Sequence, residues 1–154
     1  MQTGLDKKGR IIDVGGGAST LAEDLSLDGY NNLIVLDISL ESLQKSKERK
    51  GKRADMLTWI EADILKVDFP ENSFDVWHDR AVFHLLTNPE DRKKYIRTLT
   101  ESLKHGGFLI MATFSLEGPL KCSGLEVMRY NPETLSRELG AEFSFLKSIE
   151  ERHQ

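Results

Sequence analysis

The sequence predicts an α/β fold in which a doubly wound, mostly parallel sheet is flanked by helices. Short apolar segments rich in β-branched residues alternate along the chain with amphipathic segments of helical period. The apolar segments have the composition of strands that are buried on both faces. Parallel strands need right-handed helical crossovers, so we expect helices on both sides of the sheet.

Six strands are expected from this pattern. Their expected bounds are residues 10–15, 33–37, 57–63, 73–79, 108–114 and 143–149. The segment 115–130 between the fifth strand and the last helix has the composition of a long loop, which often marks a lid or a binding loop.

Helix signals separate the strands. Thr20 and Glu23 are spaced as a capping box, and Ser39 precedes a second helix from which Leu40 and Leu43 should point inward. The third helix is expected to begin after Asn88, with Pro89 in its first position, and to end at Gly106-Gly107. The fourth begins at Asn131-Pro132 and ends at Gly140.

Composition narrows the class of protein. The 154 residues fit one domain, residues 1–154, with 39% hydrophobic residues and a net charge of -4. The stretch 45–53 is expected to be a solvated helix face and not a nucleic-acid patch. One cysteine excludes an internal disulfide, and no apolar run reaches the ~20 residues of a membrane span. We therefore expect a cytoplasmic protein with no nucleic-acid or membrane partner.

A glycine turn and an acid follow the first two strands, where ligands bind in such sheets. Gly15, Gly16 and Gly17 allow a sharp turn and close approach of the backbone to a ligand, although such turns also serve packing alone. Asp37, roughly 20 residues further on, can accept hydrogen bonds from two ribose hydroxyls, or can simply cap the next helix. Together they predict an adenosine-containing ligand.

The third strand ends in a further acid, Asp63. Its carboxylate can accept from the exocyclic amine of an adenine laid across the strand ends, with the Ile64 N–H facing a ring nitrogen. A dinucleotide-binding dehydrogenase does not need that acid, and Thr20 stands where its fingerprint wants a small residue. The alternative for Asp63 is a turn-forming role.

Several segments resemble successive motifs of the class I S-adenosylmethionine-dependent methyltransferases, which have a Rossmann-like domain. The resemblance covers about residues 10–114 and rests on the motifs DVGGGAS at 13–19, VLDIS at 35–39, EADI at 61–64, FDVWHDR at 74–80 and LKHGGFLI at 103–110. It implies S-adenosylmethionine as cofactor and S-adenosylhomocysteine as product, with no metal. Ser19 departs from the family's frequent third glycine.

The resemblance also implies roles for individual residues. The glycine loop with Asp13 would line the methionine end, Asp37 the ribose, and Asp63 with Ile64 the adenine. The expected cofactor-binding set, in chain order, is Asp13, Gly15, Gly16, Gly17, Asp37, Ile38, Asp63, Ile64 and Asp79.

The methyl acceptor is expected beyond the fourth strand. Asp79 and His84 are the candidate catalytic residues that contact or deprotonate it, and each also has an ordinary structural reading. His78 is expected to be structural, while Arg80 could bind an anionic acceptor or pair with an acid. From the following loop, Arg129 and Tyr130 could also face the acceptor.

Three functions remain open at this point. The first is methyl transfer to a small-molecule acceptor. The second is methylation of a protein lysine, which the resemblance disfavours because His84 stands where lysine methyltransferases carry an acid. The third is an inactive cofactor-binding module, since the family sheet has a seventh strand and the chain is expected to be truncated at both ends. An exposed sheet edge would then allow self-association.

Overall fold

A computed structural model describes residues 6–18, 20–80, 82–122 and 124–146. The strands of the main sheet are β1 (Ile11–Val14), β2 (Leu33–Asp37), β3 (Thr58–Glu61), β4 (Phe74–Arg80) and β5 (Leu103–Ala112). The α-helices are α1 (Leu21–Leu27), α2 (Leu40–Lys50), α3 (Pro89–Ser102) and α4 (Pro132–Leu139). Short 3-10 helices cover Gly16–Ala18, Gly51–Met56 and Phe83–Leu85.

The sheet has the strand order β3-β2-β1-β4-β5, and all its pairs are parallel. β1 lies at the centre because three of its four side chains are apolar and all four are buried. The chain first winds outward from β1 to β3 and then crosses to β4 on the other side of β1. The predicted doubly wound α/β sheet is confirmed, with its switch point between β1 and β4.

Alternate residues of the central strands enter two separate cores. Ile12 of β1 and Trp77 of β4 pack on one face with Tyr95 and Leu99 of α3. The other face joins side chains from β1 and β2 to α1 and α2; its buried members include Ile11, Leu25, Val35 and Leu43. This alternation also decides on which face each polar residue of β1 and β4 lies.

Two expectations about the first two helices, the cap at Thr20 and the inward Leu40, are wrong, whereas the solvated face expected for 45–53 is confirmed except at Ser46 and Lys50. The Thr20 side chain makes no capping hydrogen bond, because its backbone is helical and its hydroxyl contacts Asp24 instead. Leu40, the first residue of α2, is 47% exposed, and the buried residues of this helix begin only at Leu43. Lys50 is buried in the stretch expected to be solvated, with its Nζ donating to Ser46 Oγ at 2.6 Å. The Ser39 cap, which accepts from Ser42 N, is confirmed.

The third helix ends earlier than the glycine pair suggested. The Asn88 cap is confirmed, but α3 ends at Ser102, and β5 begins at Leu103 instead of residue 108. Leu103 pairs with Phe74 and is buried in the core, so tertiary packing draws the chain into the sheet before the glycines. Gly106 and Gly107 consequently lie within the strand, beside an irregularity in the β4–β5 register.

The last third of the chain differs most from expectation. The segment 115–130 contains a short hairpin, β6 (Lys121–Cys122) and β7 (Leu125–Glu126), paired antiparallel. α4 has a complete capping box between Asn131 and Thr134, so this helix is confirmed. The expected sixth strand is wrong for residues 143–146, which form no strand, and residues 147–149 lie outside the described part.

The outer strands of the sheet are β3 and β5. Self-association through an exposed sheet edge stays a prediction, and either β3 or β5 could form the contact. Among the described residues, no helix is long and apolar enough to cross a membrane.

The burial of α2 gives a direct test of this packing. Leu43→Ala should lower the free energy of unfolding by roughly 2–5 kcal/mol, because it leaves a cavity in the core. The matched variant Leu40→Ala, on the same helix, should cost less than about 1 kcal/mol. Urea denaturation of both variants measures the difference, and equal losses would contradict the described orientation of the helix.

Candidate functional site

The glycine turn lies against the end of β2. Gly15 has a φ of 75°, which favours glycine, and its N–H donates to the Leu36 carbonyl at 2.7 Å. Gly17 N donates to Asp37 Oδ2 at 3.0 Å. A Cβ on Gly17 would lie 2.7 Å from that oxygen, so the close contact requires glycine. The structure thus brings together the two features that predict an adenosine-containing ligand.

Asp37 keeps acceptor capacity toward solvent. Its other oxygen, Oδ1, accepts from Ser39 N at 2.9 Å, so each carboxylate oxygen accepts one hydrogen bond from the residues that the structure describes. A carboxylate oxygen has about two lone-pair positions, which leaves one on each oxygen for a ligand hydroxyl. Ile38, next in the chain, is 68% exposed and offers an apolar surface beside the carboxylate.

The end of β3 lies next to Asp37. Ala62 N donates to the Asp37 carbonyl at 3.0 Å, which holds the following turn against β2. The half-buried Asp63 accepts from Leu65 N through Oδ1 at 2.9 Å, so it does form a turn, and its second oxygen is not used in that bond. The Ile64 side chain is buried in the α3-side core, so only its backbone can serve a ligand here.

Asp13 and His78 form a buried pair on the α1 side of the sheet. They are register partners on β1 and β4, and His78 Nδ1 lies 2.9 Å from Asp13 Oδ1. This contact agrees with the structural role expected of His78, which stays a prediction. Asp13 Oδ2 is buried and lacks a hydrogen-bond partner among the described residues. It lies under Gly16, where a Cβ would come within 2.3 Å of it.

Asp79 is completely buried on the opposite face, and its carboxylate organises the turn after β4. Oδ1 accepts from Val82 N at 2.9 Å, and Oδ2 accepts from Phe83 N at 3.0 Å and from the Tyr95 hydroxyl. Trp77 Nε1 donates to the Tyr95 oxygen at 3.0 Å. Burial raises the pKa of Asp79 to about 6, and these hydrogen bonds oppose that rise.

This network explains how the strand end is positioned, and sequence reasoning missed part of it. The helical spacing of Tyr95 and Leu99 indicates only that Tyr95 faces the core. A buried tyrosine hydroxyl nearly always finds a partner, and Asp79 ends a buried strand, so these two signals could have been joined. As placed, Asp79 is a positioning residue; its direct contact with cofactor or acceptor stays a prediction.

His84 lies at the end of this turn and is 1% exposed. Neither ring nitrogen has a hydrogen-bond partner among the described residues, and burial lowers the pKa of the imidazole. Its ring centroid is 4.9 Å from that of Phe114, and its carbonyl accepts from Met128 N at 2.6 Å. His84 is therefore a neutral imidazole with both nitrogens available.

The predicted residues fall into two groups at one edge of the sheet. The glycine turn, Asp37 and Asp63 follow β1, β2 and β3, while Asp79 and His84 belong to β4 and the turn after it. Ser19 and the Arg80 side chain lie outside the described part of the chain. An apolar cavity of about 200 Å³ lies beside His78, but none of the predicted cofactor-binding or catalytic residues lines it. This cavity is therefore separate from the candidate site. No cluster of three metal-ligating side chains occurs among the residues described.

Comparison with known protein families agrees with this site, in which a glycine turn lies beside an acid after β2 and an acid after β3. Residues 12–111 match the family model of a methyltransferase domain. The chain belongs to this methyltransferase family. Members of the family use S-adenosylmethionine and release S-adenosylhomocysteine.

Individual relatives of this methyltransferase domain differ in what they act on. The chain is 32% identical over 117 residues to a ubiquinone/menaquinone biosynthesis C-methyltransferase of Pseudomonas entomophila (strain L48), covering 73% of this chain and 44% of that protein. It is 30% identical over 84 residues to an eEF1A lysine and N-terminal methyltransferase of Bos taurus. That match covers 54% of this chain and 12% of the Bos taurus protein. The chain thus spans less than half the length of these curated relatives.

A solved structure confirms the fold. The chain resembles an S-adenosylmethionine-dependent methyltransferase of Mesorhizobium loti with a TM-score of 0.60 and 24% identity, over 72% of this chain and 49% of that one. At this identity the likeness supports the methyltransferase fold and leaves the acceptor open.

The residues present in this methyltransferase domain fit the family's cofactor. Asp13 Oδ2 is a buried acceptor without a donor among the described residues, and an ammonium or N–H group would satisfy it. Asp37 has lone pairs for a pair of hydroxyls, and the exposed Ile38 offers an apolar contact for a planar ring. An amino acid, a ribose and a base therefore each have a chemically matched group.

The burial of Asp79 predicts a measurable dependence of stability on pH. Because its folded pKa of about 6 lies above its ordinary 3.8, the stability it contributes is complete below 3.8 and is lost as pH rises through 6. That difference corresponds to about 3 kcal/mol. Between pH 3.8 and pH 7, wild type should lose about this much stability relative to Asp79→Asn, as measured by urea denaturation.

An exposed acid supplies the control for this measurement. Asp55→Asn, at the end of the Gly51–Met56 turn, should track wild type across the same pH range. If the difference between wild type and Asp79→Asn does not change with pH, the Asp79 carboxylate does not titrate as described.

Proposed function

We propose that this chain is the cofactor-binding core of an S-adenosylmethionine-dependent methyltransferase that acts on a small-molecule acceptor. The observation that carries the proposal is the contact between the glycine turn and Asp37, with Gly17 N 3.0 Å from Asp37 Oδ2. This contact places a backbone that a ligand can approach closely beside a carboxylate whose oxygens can accept further hydrogen bonds. A ligand with a ribose needs both features.

Each cofactor-binding residue has a specific part in this proposal. Asp37 accepts from the ribose hydroxyls, with Ile38 against the adenine. Asp63 accepts from the adenine amine, and the Ile64 N–H donates to the ring. The methionine end lies along Gly15, Gly16 and Gly17, with its ammonium toward Asp13, whose Oδ2 lacks a partner among the described residues. Asp79 supports this surface from β4, where it pairs with Val14.

The chemistry divides between cofactor and protein. When bound, the cofactor supplies a methyl group on a sulfonium, which is the electrophile of the reaction. The protein's part is to hold the acceptor in line with it, an effect worth roughly 7–11 kcal/mol. His84 can accept the acceptor's proton, because the lowered pKa of the imidazole keeps it neutral near pH 7. Asp79 acts through the turn that holds His84.

Two candidate acceptor classes follow from the relatives. The Pseudomonas entomophila relative is named for quinone biosynthesis, which supports a small molecule. The Bos taurus relative is named for a lysine, which keeps protein methylation as the second candidate. The first is favoured because His84 is neutral and Asp79 is committed to three donors within the chain, so this turn offers no free carboxylate to a lysine ammonium.

A labelling assay tests the proposal. The chain is incubated with methyl-labelled S-adenosylmethionine and a cell extract, and the products are separated into small molecules and protein bands. We expect label in the small-molecule fraction. Asp37→Ala should reduce it by at least about tenfold, because a lost hydrogen-bonded acceptor costs roughly 1–3 kcal/mol.

The other outcomes separate the alternatives. Label concentrated in one protein band would show that the acceptor is a protein and would contradict the small-molecule proposal. Absence of label in both fractions, with the cofactor bound, would support a binding module without activity.

A further inference from the structure

The described chain buries two aspartates of the sheet, Asp13 and Asp79, and they differ in how their oxygens are satisfied. Both oxygens of Asp79 accept hydrogen bonds from the turn after β4. Asp13 has a partner on Oδ1 alone, where His78 Nδ1 lies at 2.9 Å, and its Oδ2 has none among the described residues. Folded proteins rarely leave a buried acceptor without a donor. Oδ2 of Asp13 is therefore a place where another molecule supplies a donor.

The sheet fixes where this oxygen lies. Asp13 and His78 are register partners on the neighbouring strands β1 and β4, and their side chains lie on the α1 side. The glycine turn begins two residues after Asp13. A Cβ on Gly16 would come within 2.3 Å of Oδ2 and 2.5 Å of the carboxyl carbon, so the carboxylate lies directly against the turn. The oxygen without a partner consequently faces the glycine turn.

The contact with His78 decides which oxygen faces the turn. The terminal torsion of an aspartate side chain is broad and roughly twofold, so a carboxylate without neighbours turns easily. A carboxylate only accepts hydrogen bonds, which means that Nδ1 carries the proton in this contact. One directional bond to Oδ1 restricts the torsion of Asp13 and keeps Oδ2 at the turn.

The His78 ring makes no second side-chain hydrogen bond in the part of the chain that the structure describes. Its side chain is 14% exposed, and it borders the apolar cavity of about 200 Å³ on this side of the sheet. The other residues that line the cavity are all apolar: Ile11, Leu21, Leu25, Val76 and Ile110. Since apolar walls offer the imidazole no competing polar contact, the bond to Asp13 orients the ring.

We propose that His78 is a positioning residue for the ammonium group of the cofactor. It acts through Asp13: the Nδ1–H holds Oδ1, and Oδ2 accepts from the ammonium at the methionine end. The Asp13–His78 pair thereby distinguishes a ligand that carries an α-amino group from an otherwise identical ligand that lacks it. The inference rests on the proposed function, because it assigns a further residue to the same cofactor site.

Two ligands that differ in a single group test the inference. The intact chain is titrated by calorimetry with S-adenosylhomocysteine and with its deamino analogue, in which a hydrogen atom replaces the α-amino group. The wild type should bind S-adenosylhomocysteine at least about tenfold tighter, because the analogue loses a hydrogen bond between charged groups. The ratio of the two affinities cancels any loss that both ligands share, so a general loss of structure does not change it.

Substitutions of two histidines make the test specific. His78→Leu suits the apolar walls of the cavity but removes the donor, and it should lower the affinity ratio by about fivefold through weaker binding of S-adenosylhomocysteine. His78→Asn should retain most of the wild-type ratio, because its amide N–H can donate in place of Nδ1–H. His105→Leu, at an exposed position of β5, should leave the ratio unchanged.

A double-mutant cycle tests whether His78 acts through Asp13. Asp13→Asn should lower the affinity ratio by itself, because a neutral amide replaces the carboxylate that pairs with the ammonium. Adding His78→Leu to Asp13→Asn should lower the ratio no further, since the two residues act as one unit.

A measurement on the wild type does not depend on the folding of any variant at His78. The ¹⁵N resonances of the His78 ring should shift more on addition of S-adenosylhomocysteine than on addition of the deamino analogue. The resonances of the exposed His105 should respond equally to both ligands.

Four results would overturn the inference. These are equal affinity of the wild type for the two ligands, a wild-type ratio in folded His78→Leu, a further fall of the ratio when His78→Leu is added to Asp13→Asn, and equal shifts of the His78 resonances with both ligands. In each case binding of S-adenosylhomocysteine to the wild type leaves the proposed function standing. If neither ligand binds the wild type, the proposed cofactor site is contradicted, and this inference with it.

Discussion

The geometry of the candidate acceptor side depends on one buried carboxylate, that of Asp79. Burying a carboxylate is costly unless hydrogen bonds compensate it, and here the amides of Val82 and Phe83 and the hydroxyl of Tyr95 do so. The same bonds tie α3 to the end of β4 and shape the turn that presents His84. Asp79 is also the register partner of Val14, which immediately precedes the glycine turn. Asp79 therefore lies next to the strand that carries the glycine turn, while its carboxylate holds the turn that contains His84.

The parallel sheet explains why two chemically different surfaces lie side by side. The carboxyl ends of β1, β2 and β3 present a glycine turn and acids with spare acceptor capacity, as a polar cofactor requires. The turn after β4 instead carries the buried Phe83 and His84, and the lowered pKa of the His84 imidazole keeps it neutral near pH 7. The strand order reverses between β1 and β4, so these two surfaces lie on either side of the switch point of the sheet.

Local patterns in the sequence predicted the parallel sheet, the caps at Ser39 and Asn88, and the meeting of the glycine turn with Asp37. These features depend on residues close in sequence or on the general rule that parallel strands end at one edge. The errors arose where long-range packing decides. Leu103 leaves its helix because its side chain is buried beneath Phe74, and Tyr95 reaches Asp79 across 16 positions of the chain. Neither contact has a local signature.

The central claim is that the strand ends bind S-adenosylmethionine, and calorimetric titration with its product S-adenosylhomocysteine tests it most directly. We expect S-adenosylhomocysteine to bind the wild type, Asp37→Ala to lose at least about tenfold in affinity, and Asp55→Ala to keep the wild-type affinity. Asp55 is an exposed acid that precedes β3, at the end of that strand opposite Asp63. Equal affinities of the wild type and both variants, or tighter binding of NAD than of S-adenosylhomocysteine, would contradict it.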